Sequence, residues 1–432
     1  MSLTPIVWLI VYVSGALMAF VHPIYGLLIY FLTYYQAPQY RWWGKELPDQ
    51  RWAMIISVLW LVAFFMKRHS LPPLKVKKHP QTIWLVLFVI NAFLVTEITA
   101  VWHEVSIEHS FILLKILVLY LIIIVTVRTK EHFNLTLYMH IYGIFSWGWS
   151  AYQDPKRSAG RLYGIGGPNA IDDNGTASIF VAILPLAGSM FFAGTKWVKL
   201  ACSATAVFAL NAFILCNSRG AMLGLIGQAL LTLKISKGPM RKNIFFGMLV
   251  GSILFYSLMD PQFIERQKIG EDYGEDGSAT SRVESWEAAI ELSKDYPFGA
   301  GGGGFEYLSP IYIPNIVEAH KGERRAVHST YFQVLSDFGI QGLILLLGFI
   351  LSTFYELYDI RRNASHTEEG RSIWLHSVAI TLGFFGLLIA GFFTSRLIAE
   401  VLYWLPAFSA ALKNIQVEEK EQSMKAVDLP IS

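Results

Sequence analysis

Apolar residues gather in thirteen runs along the chain, and the charged residues lie mostly between them. Most runs approach the roughly 20 residues that an α-helix needs to cross a bilayer. Only residues 21–23 separate the first two runs, which predict either one kinked crossing or two. The pattern therefore predicts an all-α polytopic membrane protein with 12–13 transmembrane helices. The runs are 5–21, 24–37, 52–66, 82–100, 110–127, 133–150, 176–193, 197–215, 219–234, 243–259, 330–356, 372–393 and 396–412.

Composition supports the same class of protein. Apolar residues make up 54% of the 432 positions and charged residues only 16%, against roughly 25% charged in an average soluble domain. Aromatic residues, at 14%, suit a protein that anchors at two water–lipid interfaces. These values exclude a soluble globular enzyme and a disordered chain. The net charge of +3 leaves no basic patch for nucleic acid.

The Lys and Arg residues of the connections predict the orientation. One alternating set of connections, with the C-terminal tail, holds 19 of them and the other set holds 8, leaving aside the long connection 260–328. The richer set is expected in the cytoplasm, which puts 260–328 outside, in the periplasm of a Gram-negative cell. This connection carries 20 of the 67 charged residues, so it is the part best suited to chemistry in water.

The chain therefore divides into five predicted regions. Two are groups of transmembrane helices at 1–150 and 329–412, on either side of a central group at 151–259 whose external loop carries Arg161. The large external helical loop 260–328 follows the central group. The tail 413–432 is rich in Glu and Lys and is predicted to be disordered in the cytoplasm.

Arg282 lies in the first candidate site, in the external loop. Ser281 and Glu284 have the spacing of a capping box, which predicts a helix start with Arg282 in its first turn. A cation there opposes the helix dipole, and this placement is explained if an anion binds to the guanidinium and to free backbone N–H groups. The alternative is an ion pair between Arg282 and Glu284 or Glu287 on a solvated face.

Arg219 and Arg161 are two further external arginines. Arg219 opens a span that Asn217 or Ser218 can cap, and an arginine at the edge of the hydrocarbon layer is usually functional, although it can also serve as a snorkelling anchor. Arg161 lies in a glycine-containing loop that ends at Asn169. Three separate guanidinium groups suggest a clamp for a multiply charged anion such as pyrophosphate.

His328 is the candidate base. It stands just before a predicted membrane helix, where Thr330 and Gln333 offer a second capping box. The positive end of that helix favours neutral imidazole, the form that accepts a proton. The alternative is an interfacial histidine without chemistry.

Two other patterns are set aside. Residues 299–304 fit GxGxxG, but they follow a helix and no βαβ unit surrounds them, which argues against a dinucleotide site. The polar residues of 103–109 lack a recognised ligand spacing. We therefore predict neither a metal site nor a cofactor.

Taken in order, several motifs resemble the O-antigen ligase/polymerase family over about residues 155–355. The N-terminal segment 34–44 is most similar to the O-glycosylation ligases associated with exosortase A systems. The family motifs are Arg161-x-x-Gly164 with Pro168-Asn169, Ser218-Arg219-Gly220, Ser281-Arg282 with Trp286, Tyr296-Pro297-Phe298-Gly299-x-Gly301, His328-x-x-Tyr331 and Gly339-x-x-Gly342.

The resemblance implies a GT-C-like glycosyltransferase in the bacterial inner membrane, with its active site facing the periplasm. Such enzymes move a glycan as a block from undecaprenyl pyrophosphate to an acceptor hydroxyl, on a lipid A–core sugar or on a protein. They are expected to work without metal and to invert the anomeric carbon. The two alternatives are a polymerase that extends lipid-linked repeat units and a transporter or flippase, against which the chain shows no inverted repeat with broken helices.

The resemblance also implies roles for individual residues. Arg219 and Arg282 would hold the pyrophosphate, Arg161 would assist, and His328 would act as the base. The possible accessory residues are Asn169, Arg325 and Tyr331.

Overall fold

The structure is a computed structural model that describes residues 2–158, 160–236, 238–258 and 277–427. Sixteen α-helices lie in these residues, together with two 3-10 helices, Pro38–Tyr40 and Trp42–Glu46, and a small antiparallel hairpin of Arg157–Ser158 with Arg161–Leu162. The helices are α1 Leu3–Met18, α2 Ile24–Gln36, α3 Trp52–Lys67, α4 Pro80–Ile98, α5 His103–Thr126, α6 Lys130–Gln153, α7 Asp173–Ala193, α8 Lys196–Cys216, α9 Arg219–Ile235, α10 Gly238–Leu258, α11 Gly277–Asp295, α12 Gly304–Tyr312, α13 Pro314–Ala319, α14 Thr330–Arg362, α15 Glu368–Phe392 and α16 Val401–Val427.

The prediction of an all-α polytopic membrane protein is confirmed. Six helices of the described chain are long and apolar enough to cross a membrane, namely α4, α5, α7, α8, α14 and α15. Shorter apolar helices are α1, α3 and the Phe245–Ser257 part of α10. The first two apolar runs form separate helices, with α2 starting after Pro23. The total of 12–13 crossings stays a prediction.

Aromatic side chains from α2, α6 and α16 form the centre of the core. Trp404 is fully buried and meets Phe31 and Tyr34 edge-on, with ring centroids 5.2 and 4.8 Å apart. Such pairs add about 0.5–1.5 kcal/mol each to the free energy gained from buried area. The core therefore joins the N-terminal helices to the last one, and it fixes the frame on which the external end is built.

A break at Gly339 divides α14. This residue has φ +75° and ψ 179°, outside helical geometry, and the break frees the carbonyl groups just before it. Those carbonyls still have partners, as buried backbone groups require. Ser336 and Asp337 accept hydrogen bonds from the backbone N–H groups of Ala300 and Gly301, each at 2.9 Å.

The glycine-rich segment 299–304 is therefore a packing element. Gly301 has φ +89°, and a Cβ at this position would lie 2.5 Å from the Cβ of Ala100. The N–H of Gly302 donates to the Ser106 hydroxyl at 2.9 Å. Because the N–H groups of residues 300–302 already have protein acceptors, this segment holds the external loop against α5 and α14.

The prediction of a disordered tail at 413–432 is wrong for residues 413–427, which continue α16. Polar side chains of this part pair with the neighbouring helices: Lys413 lies 2.6 Å from an Asp359 carboxylate oxygen. Asn414 shares a 3.1 Å hydrogen bond with the His79 ring, and Gln416 donates to the Ile360 carbonyl at 2.7 Å. Composition alone could not reveal these partners. Residues 428–432 lie outside the described chain.

Candidate functional site

Three helices begin close together at the end of the bundle that is predicted to face outward. Asp172 caps α7 by accepting from the Gly175 N–H at 3.2 Å, and Ser218 caps α9 by accepting from the Ala221 N–H. The Ser218 hydroxyl also donates to the Asn174 amide oxygen at 2.7 Å, which joins the two starts. Helix N-termini carry partial positive charge, so their meeting point favours an anion.

The third start, that of α14, joins this group through the turn that follows α15. The Thr330 hydroxyl donates to the Thr394 carbonyl at 3.0 Å and accepts from the Arg396 backbone N–H at 2.9 Å. The predicted capping box of Thr330 and Gln333 is therefore wrong: Ser329 occupies the cap position without a side-chain cap. The Thr330 hydroxyl is engaged by the turn at 394–396 instead.

Arg161 is paired within the protein. Its guanidinium forms an ion pair with Asp173, the first residue of α7, and donates to the Asn217 carbonyl at 3.3 Å. Asn217 directly precedes the cap of α9. Arg161 therefore fixes the approach of α8 to the start of α9, where Arg219 is the first helical residue.

Arg282 lies on α11, but not in its first turn. The helix begins at Gly277, so the predicted start at Ser281 is wrong and Arg282 stands in the second turn. The segment before Gly277, residues 259–276 of the predicted external loop, lies outside the described chain. One turn after Arg282, the Trp286 ring stacks on Phe332 and meets Phe392 edge-on, with centroids 5.4 and 5.0 Å away. These contacts hold α11 against the start of α14 and the end of α15.

His328 is half-buried in the connection before α14, and its φ of +53° is unusual for a residue with a side chain. Such strained backbone clusters at functional sites. Burial, and then the guanidinium groups of Arg282 and Arg325, lower the pKa of His328 to about 4. Asp172 acts in the opposite direction and Arg396 adds to the lowering. The imidazole is therefore neutral at physiological pH, as a base requires.

The accessory candidates have structural contacts of their own. Asn169 adopts a left-handed φ of +57°, and its side-chain amide donates to the Ile398 carbonyl at 3.1 Å. The Tyr331 hydroxyl donates to the Leu388 carbonyl at 3.0 Å. The Arg325 backbone N–H donates to the Ser309 hydroxyl at 3.0 Å. Of the three, Arg325 also acts electrostatically on His328.

Arg396 was missed as a site residue by the sequence analysis. It is only 8% exposed; its guanidinium donates to the Asn169 carbonyl at 2.7 Å and lies 3.8 Å from Asp172. It thereby connects the loop after Arg161 to the turn at 394–396. A charged residue between two long apolar runs is a signal in itself, which could have identified it.

Two cavities border this region. One of about 520 Å³ is lined by polar and aromatic residues that include Asp172, Asn169 and Arg396, together with Val327 next to His328. The other, of about 730 Å³, is mostly apolar and follows α9 from Met222 to Ser236, between α7, α10 and α15. Both exceed the roughly 300 Å³ at which small-molecule sites begin.

The fold defines a multi-pass membrane protein, and its predicted outward end carries three joined helix starts, the buried Arg396 and a half-buried neutral histidine, His328. Residues 204–347, a third of the chain, match a family model described as O-antigen ligase. Arg219, Arg282 and His328 all fall within the matched residues. A comparison with curated proteins finds no match. The similarity supports a place in the O-antigen ligase family and implies a glycosyltransferase-type membrane enzyme.

Proposed function

We propose that the protein transfers a glycan, as one block, from undecaprenyl pyrophosphate to an acceptor hydroxyl on the periplasmic face of the inner membrane. The observation that carries this proposal is the grouping of His328 with Arg282 and Arg325 where α14 begins, inside the residues that match the O-antigen ligase model. The resemblance noted in the sequence adds the acceptor classes, a lipid A–core sugar or a protein.

The residues are suited to the two charge movements of this reaction. His328 accepts the proton of the acceptor hydroxyl as its oxygen bonds to C1 of the donor sugar. The bond from C1 to the pyrophosphate oxygen breaks, and attack from the opposite face inverts C1. Arg219 and Arg282 stabilise the negative charge of the leaving pyrophosphate, and the guanidinium groups supply this positive charge without a metal.

Arg161 takes a supporting part in this proposal. Because it is ion-paired with Asp173 and bound to the Asn217 carbonyl, it acts as a positioning residue for Arg219. These two contacts would explain why the resemblance implies an assisting role for Arg161.

The apolar cavity is suited to the polyprenyl tail of the donor. It extends along α9, the helix whose first residue is Arg219. A tail in this cavity and a pyrophosphate at Arg219 would occupy one continuous path along the helix. Burial of each methylene group of such a tail contributes about 0.8 kcal/mol to binding.

Purified protein incubated with a lipid-linked glycan tests the proposal. We expect His328→Ala to lower transfer by about 10²–10⁴-fold, the usual contribution of a general base, and Arg282→Ala to lower it strongly as well. Matched controls are His320→Ala and Lys294→Ala, which change exposed residues of the same region and should keep activity. Full transfer by both site variants would contradict the proposal, and strict dependence on added Mg²⁺ or Mn²⁺ would contradict the metal-free mechanism.

The product distinguishes the alternatives. Attachment of an intact glycan to a lipid A–core or protein acceptor indicates a ligase, whereas longer lipid-linked chains indicate a polymerase. Movement of substrate into liposomes that contain only this protein, with no new glycosidic bond, would indicate a transporter.

A further inference from the structure

The cavity of about 520 Å³ beside His328 has a lining that the proposed chemistry does not use. Tyr163 and Tyr40 contribute aromatic rings to it, and they are 51% and 42% exposed. Both rings therefore still have accessible surface on the described protein. Apolar surface next to a few fixed polar groups is typical of small-molecule sites.

Buried polar atoms without partners also line this cavity. The Arg396 Nε, the Ser395 hydroxyl and the Gln333 amide oxygen each have no hydrogen-bond partner among the described residues. Arg396 is more than nine-tenths buried. Buried polar atoms without hydrogen-bond partners are unfavourable, and these three belong to residues that line one cavity. Such a lining suits a ligand that offers both donors and acceptors.

The charged groups of the lining are mainly acidic. The carboxyl groups of Asp172, Glu306 and Asp337 line it, against the single guanidinium of Arg396 and the ring of His109. Asp337 already accepts from the Gly303 and Phe305 N–H groups, and Asp172 lies beside Arg396. Glu306 is exposed on α12 and gives this end of the site a negative potential, in contrast to the cations around His328.

We propose that this cavity is a saccharide subsite that accepts neutral or amino sugars and rejects acidic ones. Hydroxyl groups of a sugar are both donors and acceptors, as the unpartnered atoms require, and a pyranose ring has an apolar face for Tyr163. A uronate would bring a carboxylate close to those of Glu306, Asp172 and Asp337, and like charges brought together weaken binding. The inference rests on the proposed function and deepens it, because it names the class of sugar that would bind next to the segment carrying His328.

Binding is measured directly, by saturation-transfer NMR on the full chain in lipid nanodiscs. The probes are a neutral methyl hexoside, its 2-amino analogue and the matching uronate, each at tens of millimolar. We expect signals from the first two probes and at least about tenfold weaker binding of the uronate. Equal binding of the uronate, or no signal from any probe, would overturn the proposal.

Three variants locate the binding. Tyr163→Ala should abolish the signals, and Glu306→Gln should narrow the difference between the uronate and the neutral probe. The control Glu318→Gln changes an exposed carboxylate on α13 and should leave all three probes as in the parent protein. Unchanged signals in Tyr163→Ala would place any binding elsewhere and contradict this subsite.

Competition identifies the source of the sugar. Displacement of the probe by lipid-linked glycan alone assigns the subsite to the donor, and displacement by free acceptor glycan alone assigns it to the acceptor. Either result supports the subsite, and displacement by neither contradicts it. Since binding is measured without turnover, a failed transfer assay would leave these results intact, and the reverse also holds.

Discussion

At the scale of single residues, the proposed base His328 is held neutral by its surroundings. Burial and two nearby arginines act together to lower the pKa of His328 to about 4. The sequence analysis found this residue and predicted its neutral form from the helix start alone. It could not identify the further contribution of Arg325, because that depends on how the connection folds around residues 325–328.

Changing Arg325 should therefore shift the pH dependence of transfer. In the proposed reaction the rate requires neutral imidazole, so kcat/KM should fall as pH drops through the pKa of His328 in the free enzyme, which is about 4 in the parent protein. In Arg325→Ala the pKa of His328 rises toward its ordinary value, and the acidic limb moves to higher pH. A pH series of kcat/KM measures this limb.

Arg324→Ala is the matched control. Arg324 lies over the Tyr307 and Trp102 rings, 4.4 and 5.1 Å from their centroids, and it is not among the groups that act on His328. Its removal should leave the acidic limb in place. An equal shift in both variants would show a general surface-charge effect.

At the scale of elements, the external end is held by backbone contacts that sequence patterns describe poorly. The sequence argues against a dinucleotide site at residues 299–304, but it does not reveal that this segment donates hydrogen bonds to the carbonyl groups before the break at Gly339 in α14. The hydrophobic runs of the sequence are sufficient to predict that the long apolar helices exist. Helix starts are less predictable: α11 begins at Gly277, before the capping box at Ser281, and the Thr330 hydroxyl bonds to the turn at 394–396 and does not cap α14.

Gly301→Ala should destabilise the protein more than a comparable change elsewhere. The new Cβ would meet both an unfavourable φ of +89° and the Cβ of Ala100 at 2.5 Å. Gly322→Ala is the control, since Gly322 has φ +81° but nothing within 4 Å of its Cβ position. Backbone strain alone is worth about 1–3 kcal/mol, so thermal unfolding should show the lower midpoint for Gly301→Ala. Equal midpoints would contradict the packing role.

At the scale of the whole molecule, the last helix joins segments that lie far apart along the chain. The sequence predicts a disordered tail from residue 413 onward, because Glu- and Lys-rich segments are typical of disorder. In the structure Asn414 and Ser409 join a buried network with His79 and Glu356, which sit on two distant elements. A partner so far along the chain leaves no local signal, which is why the sequence could not predict this network.

Removal of residues 413–432 should consequently destabilise the protein. The deletion removes the contacts of Lys413, Asn414 and Gln416, and it leaves the buried His79 ring without its Asn414 partner. Removal of 428–432 alone takes away none of the described contacts and is the control. Thermal unfolding of both variants in the same detergent provides the measurement. An unchanged unfolding midpoint after the longer deletion would contradict a structural role for residues 413–427 and support a disordered tail.

The break at Gly339 determines which part of α14 has the length of a lipid bilayer. An uninterrupted helix of 33 residues would be about 50 Å long, well beyond a hydrocarbon layer of about 30 Å. The portion after the break, residues 340–362, measures about 34 Å and matches that thickness on its own. The short portion before the break is bonded to the glycine segment, and it therefore belongs to the external end of the molecule. One helix thus serves two surroundings, because residues 340–362 have the length of a hydrocarbon layer and the residues before the break belong to the proposed glycosyl-transfer centre.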